Sequence, residues 1–335
     1  MKITIIYSLP TKRALTTPYL ATEEDTRESA LEVAEALKSR GVEVAVVGIA
    51  EDNLNAIKKI RADCIFNLIE WTGLDLPLSV AVFKYLEGLG TPFTGATSGN
   101  FALTSDKVKM KEALDLAGLP TPRWQLFSSG DEALRSDLRF PVIAKLAWEH
   151  CSIGLTRDAV TRDPVALKNL IIERLNVFKQ PVYIEEFIAG REFQVTLLER
   201  EDGLFIFPIA EIVFTKANDY TFLTYSGRWD EDHPEFAATR VVVADIPSSL
   251  KEKICELART IFTKFNFRDY ARLDLRCRGE EVFILEANSN PGLGDSEEYS
   301  MTVSYKAVGL TFADFIWEIV TSCLRRFHQF SAKSV

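Results

Sequence analysis

The sequence predicts an α/β fold at its N-terminus that continues into α+β structure. Strand and helix signals alternate through the first hundred residues, the texture changes around Gly118, Pro120 and Pro122, and long strands dominate after Glu192. Such alternation predicts a parallel sheet with helices on its faces. In order, Lys2–Tyr7 is a β-branched apolar run and reads as the first strand. Glu24–Arg40 carries Ala30, Val33, Ala34 and Leu37 at helical spacing, with Gly41 as its stop. Val42–Ile49 reads as a strand, Asn53–Ile60 as a short helix, Cys64–Ile69 as a strand, Pro77–Leu86 as a helix and Thr91–Phe93 as a short strand.

Asp106–Ala117 is an amphipathic helix stopped by Gly118. The strand "PVIAKLA", a helix near Pro164–Phe178 and the strand "PVYIEEFI" follow, and this block reads as a small α+β unit. Beyond it, "EFQVTLLER", "GLFIFPIAEIVF" and "RVVVADI" are strands, Ser248–Lys264 is a helix, "YARLDLRCR" and "EVFILEAN" are strands, and a last helix covers Phe312–Phe327.

Composition narrows the function. The 335 residues suggest two or three domains at roughly 100–200 each. Hydrophobic residues at 47% and charged residues at 26% argue against long disordered tracts. A net charge of −9 without a basic run demotes nucleic acid as a partner. No apolar stretch reaches the ~18 residues of a membrane span, and "MKITIIYSLP" reads as a first strand and not as a signal peptide. Five scattered cysteines with no C-x-x-C pair, and three distant histidines, argue against a disulfide framework or a Cys/His metal site. A reducing cytoplasm is the simplest location.

The most informative stretch is Arg272–Gly292, "RLDLRCRGEEVFILEANSNPG". Period-two alternation puts Arg272 and Asp274 on one face of a strand, and Val282, Ile284, Glu286 and Asn288 on one face of the next. Pairing as a hairpin then gathers Asp274, Glu286 and Asn288, a hard-oxygen set suited to Mg2+, with Arg272 beside it as a fork donor for phosphate. Asp274 alone reads as a solvated hairpin charge; the set does not. Upstream, Lys145 ends a strand and Lys107 opens a helix, and each is a point charge suited to phosphate oxygens. "YIEEFIAGREF" reads as a strand, a turn at Gly190 and a second strand, a hinge able to present backbone groups to an adenine, with Glu185 and Glu192 near its amine and ribose.

The order Lys107, Lys145, Glu185–Ile188, Gly190–Glu192, Arg272–Asp274, Glu286–Asn288, Pro291–Gly292 resembles the ATP-grasp fold, and more closely the D-alanine–D-alanine ligases. "LEANSNPG" and "DKVKMKEALDLAGLPTP" are the most specific pieces of a resemblance that spans nearly the whole chain. It implies a three-domain ATP-grasp architecture: a parallel α/β domain over 1–100, a central subdomain over 101–187 and a C-terminal subdomain over 188–335, with ATP between the last two. It implies that Lys107 and Lys145 hold ATP phosphates, that Glu185, Glu186 and the Phe187–Ile188 backbone lie at the adenine, and that Glu192 holds the ribose. Asp274, Glu286 and Asn288 would hold two Mg2+ ions, with Mn2+ as an alternative, and Arg272 would sit on the transferring phosphoryl group. "FLTYSGRW" is similar to the family's F-x-x-Y-x-x-K-Y, which implies Phe222 near the adenine and Arg228 in place of a phosphate-binding lysine.

The departures concern the substrates. Where the ligases have E-G-S-S-x-G, this chain has Glu149, His150, Cys151, Ser152, Ile153 and Gly154, and Trp229 replaces a tyrosine. Cys151 reads better as a small loop residue than as a nucleophile. The G-G-x-S-x-E motif is absent; "YSLPTKRA…TEED" resembles a divergent branch in which Glu23, with Glu24 as the fallback, reads the first amino acid's ammonium. In the acceptor segment, forward counting selects Glu297 and counting back from Gly309 selects Tyr299. The resemblance implies a carboxylate–amine ligase that forms an acyl phosphate, with Arg272 and the Gly292 N–H on the oxyanion and a mobile loop over Glu211–Glu235. Its substrates are small and amino-acid-like, and it implies a homodimer. Two alternatives stand beside it: a different acid/amine pair outside cell-wall synthesis, or a nucleotide-binding protein without ligase activity.

Overall fold

A computed structural model describes residues 1–215 and 220–333; the side chains of Glu23 and of residues 330–333 also lie outside the description. The first sheet contains β1 (Lys2–Ser8), β2 (Glu43–Ile49) and β3 (Cys64–Leu68), all parallel in the order β2-β1-β3. Helix α1 (Leu20–Lys38) packs on one face and α2 (Leu76–Glu87) and α3 (Ser98–Thr104) on the other. Of the expected strand at Thr91–Phe93 only a parallel bridge from Phe93 to Ile65 forms, and the segment before Ile60 is a 3-10 turn over Leu54–Lys59.

The second sheet has the order β4-β7-β5-β6, built from β4 (Trp124–Phe127), β5 (Val142–Leu146), β6 (Val160–Thr161) and β7 (Val182–Glu186), with α5 (Pro164–Phe178) against it. The helix α4 (Lys107–Leu116) precedes this sheet in the chain, yet its Met110 and Leu114 pack into the core beneath the third. That third, antiparallel sheet runs β11-β10-β8-β12-β13, from β8 (Arg191–Arg200), β10 (Ala210–Phe214), β11 (Thr239–Val243), β12 (Tyr270–Arg278) and β13 (Glu281–Asn288), with β9 (Gly203–Ile206) also on β8. "GLFIFPIAEIVF" is one strand in the sequence reading. Pro208, which lacks an N–H for the ladder, falls between β9 and β10.

The short α6 (Tyr225–Trp229) lies between β10 and β11; α7 (Ser248–Lys264) covers the sheet's lower face through Leu250, Ile254, Ala258 and Ile261. After β13 come α8 (Ser300–Lys306) and α9 (Phe312–Lys333), whose Phe315, Ile316, Ile319 and Val320 pack against α1 and the first sheet. Gly190 makes the turn from the second sheet to the third at φ 156°, where a Cβ would collide with the Cys277 carbonyl. No helix among the described residues is long and apolar enough to cross a membrane.

Candidate functional site

The cleft lies between β5 of the second sheet and β8, β12 and β13 of the third. Strict alternation along β13 would place Glu286 and Asn288 with Val282 and Ile284, but both of those side chains are in the hydrophobic core. The structure corrects that expectation with a β-bulge. Asp274 pairs with Glu286 and Leu275 with Ile284, so Leu285 is an extra residue in the ladder. One added residue reverses the phase of a strand. Ala287 therefore takes the core face, and Glu286 and Asn288 join Arg272 and Asp274 in the cleft.

Arg272 forks Asp274 at 2.8 and 3.1 Å, and Asn288 Nδ2 lies 3.4 Å from the same carboxylate. Lys107 Nζ lies 2.7 Å from Glu286 Oε1. Burial pushes the Glu286 carboxyl up, but Lys107, His150 and Lys145 outweigh it and hold it well below the usual range. Lys107 Nζ is buried and has Glu286 as its counter-charge, and an ammonium has three protons, so a further anionic oxygen could share it. Among the described residues no group of three or more His, Cys, Asp and Glu is arranged for a metal. Two carboxylates and a carboxamide instead fit Mg2+, which completes its shell with water and substrate phosphates.

On the opposite wall Lys145 and Glu185 sit diagonally on the β5–β7 pair, with Nζ 2.7 Å from Oε1. The sequence reading gives Glu185 the adenine amine. In the structure its carboxylate is buried behind the wall, with Lys111 on the other oxygen. Glu186 also turns away, accepting from the Arg139 N–H at 2.9 Å. The Phe187 N–H donates to the Pro141 carbonyl and the Ile188 carbonyl accepts from Arg276, so these two hinge groups are engaged within the protein. Arg276, which sequence reasoning missed, forks Glu192 at 3.0 and 2.8 Å and also holds the Thr221 carbonyl. Its signal was available: it follows Arg272 and Asp274 at period two. Phe222 lines the cleft edge-on to Phe187, their centroids 6.1 Å apart.

Two segments cover the cleft and are bonded together. Ser152 Oγ donates to the Leu223 carbonyl at 2.9 Å, Trp229 Nε1 to the Cys151 carbonyl at 3.0 Å, and the Tyr225 N–H to the Leu155 carbonyl at 3.0 Å. Cys151 and Ser152 both have positive φ, 55° and 62°, a conformation this bonding holds in place. Trp229 braces the loop from behind and is absent from the residues that line the cleft. Burial pushes the Cys151 thiol up to about 12, so it is no ready nucleophile. Arg228 lines the cleft and its guanidinium lies over the Trp229 ring at 5.3 Å. Residues 216–219 of the expected mobile loop lie outside the described residues.

At the far end, Tyr299 donates to Asp25 Oδ1 at 2.6 Å, and both line the cleft with Glu70, Cys151 and Gly292. Burial raises the Asp25 carboxyl, against the Tyr299 hydrogen bond. Helix α1 begins at Leu20, earlier than the sequence reading, so residues 23–25 fall inside it. Glu24 is exposed, and the side chain of Glu23 lies outside the description. Glu297 is exposed too, near Lys306 at 3.8 Å, while Tyr299 reaches the cleft.

His150 Nε2 donates to the Ser105 carbonyl at 3.2 Å; burial, then Lys107, lower its pKa from 6.5 to about 4. As pH falls from 6.5 towards 4 the unfolded chain gains a proton that the folded chain refuses, so stability falls. At about 1.4 kcal/mol per pKa unit the loss approaches about 3 kcal/mol. His150→Asn is expected to flatten that part of the acid slope relative to wild type, read from urea midpoints along a pH series. An unchanged slope would mean that the imidazole titrates freely in the folded protein.

Residues 114–321 match the family described as D-ala D-ala ligase C-terminus. A D-alanine–D-alanine ligase of Desulforudis audaxviator is 29% identical over 308 residues, 90% of this chain and 94% of that protein. One of Verminephrobacter eiseniae is 32% identical over 84% of this chain and 82% of its own length. The solved D-alanine–D-alanine ligase of Bacillus anthracis complexed with ATP shares the fold, with a TM-score of 0.74 at 20% identity over 98% of this chain and 99% of that one. The chain belongs to the D-alanine–D-alanine ligase family, and is an ATP-dependent ligase of the ATP-grasp fold.

Proposed function

We propose that this ligase joins a pair of small amino-acid-like substrates for which D-alanine is a poor choice. The observation that carries this reading is the substrate end of the cleft. There the covering loop is held by an indole donating to a backbone carbonyl, and an Asp25–Tyr299 pair spans the gap from α1 to the acceptor segment. A hydroxyl-based set would donate and accept through side chains; an indole only donates, and a thiol is a weak donor. Asp25 lines this end of the cleft together with Glu70, and in this reading it meets a substrate ammonium.

In this reading Lys107, Lys145 and Arg228 hold the ATP phosphates, Phe222 and the Phe187–Ile188 hinge flank the adenine, and Glu192 holds the ribose. Asp274, Glu286 and Asn288 hold Mg2+, whose contribution when bound is charge neutralisation on the phosphates. The substrate carboxylate takes up the γ-phosphoryl group with loss of ADP. The amine then attacks the acyl carbon and phosphate leaves. Arg272 and the Gly292 N–H stabilise the oxyanion, and the covering segments exclude the water that would hydrolyse the acyl phosphate.

Phosphate release with Mg·ATP across single and paired D- and L-amino acids tests the reading. The best pair is expected to exceed D-alanine alone in kcat/KM by at least about tenfold, the scale of one altered pocket contact. D-Alanine matching or beating every other substrate would overturn it.

A further inference from the structure

Among the described residues the most deeply buried cation is Lys111, one helical turn after Lys107 on α4 and 1% exposed. Its Nζ lies 2.5 Å from Glu185 Oε2 and 2.6 Å from Thr121 Oγ1, with the Ile284 carbonyl at 3.5 Å. The other oxygen of Glu185 is the one that meets Lys145. The three side chains form a row, Lys111, Glu185, Lys145, of which only Lys145 reaches the cleft. Burial pulls the Lys111 ammonium down and Glu185 pushes it back up.

A buried lysine is costly, and an apolar side chain of similar length would fill the same space at lower cost. Counting charge shows what the ammonium adds. Glu185 with Lys145 alone is a neutral pair, and a neutral pair has little attraction for a phosphate. With Lys111 on its far oxygen the row carries one net positive charge, presented at Lys145, in surroundings dry enough for that charge to act.

We propose that Lys111 is a positioning residue for nucleotide binding: it saturates and fixes the Glu185 carboxylate, and so leaves the charge of Lys145 available to the phosphates of ATP. This rests on the reading that Lys145 meets those phosphates. It differs from a purely structural role in one respect: the loss should follow the phosphates and spare the nucleoside.

The test compares Lys111→Met, Glu185→Gln and the double variant with wild type, using dissociation constants for Mg·ATP and for adenosine from ligand-observed NMR. Lys111→Met is expected to weaken Mg·ATP by about tenfold or more, with adenosine unchanged within about twofold, since a charge next to the phosphate wall is lost. The double variant again leaves Lys145 with its charge uncompensated, and is expected to bind Mg·ATP within about threefold of wild type. It also removes the buried pair together, so it decides the matter should the single variant not fold. Equal losses for ATP and adenosine, an unchanged ATP affinity in Lys111→Met, or a double variant as weak as tenfold below wild type would each overturn the proposal. A wild-type protein that binds ATP no better than adenosine would instead overturn the underlying assignment of Lys145.

Discussion

Glu286→Gln is expected to leave the fold standing and to cut turnover by at least about a hundredfold, the scale of losing one preorganised charge at a reacting centre. Glu286 sits on the cleft side of the bulge, outside the hydrophobic core, and glutamine matches its shape. Two things are lost together: an anionic ligand for Mg2+ and the counter-charge 2.7 Å from Lys107. Removing the anion leaves a buried ammonium uncompensated, which itself draws in phosphate, so nucleotide affinity should fall far less than kcat. Steady-state kinetics over a Mg2+ titration, with a thermal melt as the control for folding, checks this. Near-normal kcat at saturating Mg2+ would place the metal elsewhere.

Asp269→Ala is expected to cost about 3–5 kcal/mol of stability, the range for breaking a buried charge pair from one side. Asp269 is fully buried at φ 58° and accepts from Arg326 at 3.1 and 2.8 Å, from the Gly95 N–H at 2.8 Å and from Ser322 at 3.2 Å. It therefore ties the entry of β12 to α9 and to the chain leaving the first sheet. Alanine leaves the Arg326 charge without its counter-ion, holding only the Phe93 carbonyl, and orphans the Gly95 N–H, and it tolerates positive φ poorly. Asp269→Asn keeps an acceptor and the backbone preference, and should lose less. Denaturation midpoints for the two variants decide; a loss below about 1 kcal/mol for alanine would mean that Arg326 finds another partner.

Much of this was legible in the sequence. Lys107, Lys145, Glu192, Asp274, Glu286 and Asn288 stand out because strongly apolar strands and a helix start frame them, and the structure gathers them in one cleft. Period-two alternation brings Glu286 and Asn288 together by a route the bulge at Leu285 does not follow, because a pairing slip depends on both strands and leaves no mark in one. Asp25 was also within reach of the sequence. Stepping back by fours from the buried Val33 and Ser29 lands on Asp25, provided the helix starts well before Glu24. Glu185 and Lys111 could not be read this way, since only the packing of α4 beneath the third sheet brings them together. The expected helix near Phe312, by contrast, needed only its apolar stripe.

The covering segments set a time scale as well as a boundary. The bonds from Ser152, Trp229 and Tyr225 cross from one flap to the other, and Tyr19, just before α1, packs on Tyr225 at 4.8 Å and on Phe178 at 6.0 Å. Separating the two flaps requires all three bonds to break and Tyr225 to leave Tyr19. In the proposed reading, parting these bonds is a step common to entry of the amino acids and escape of ADP, so weakening them is expected to speed release while exposing the acyl phosphate to water.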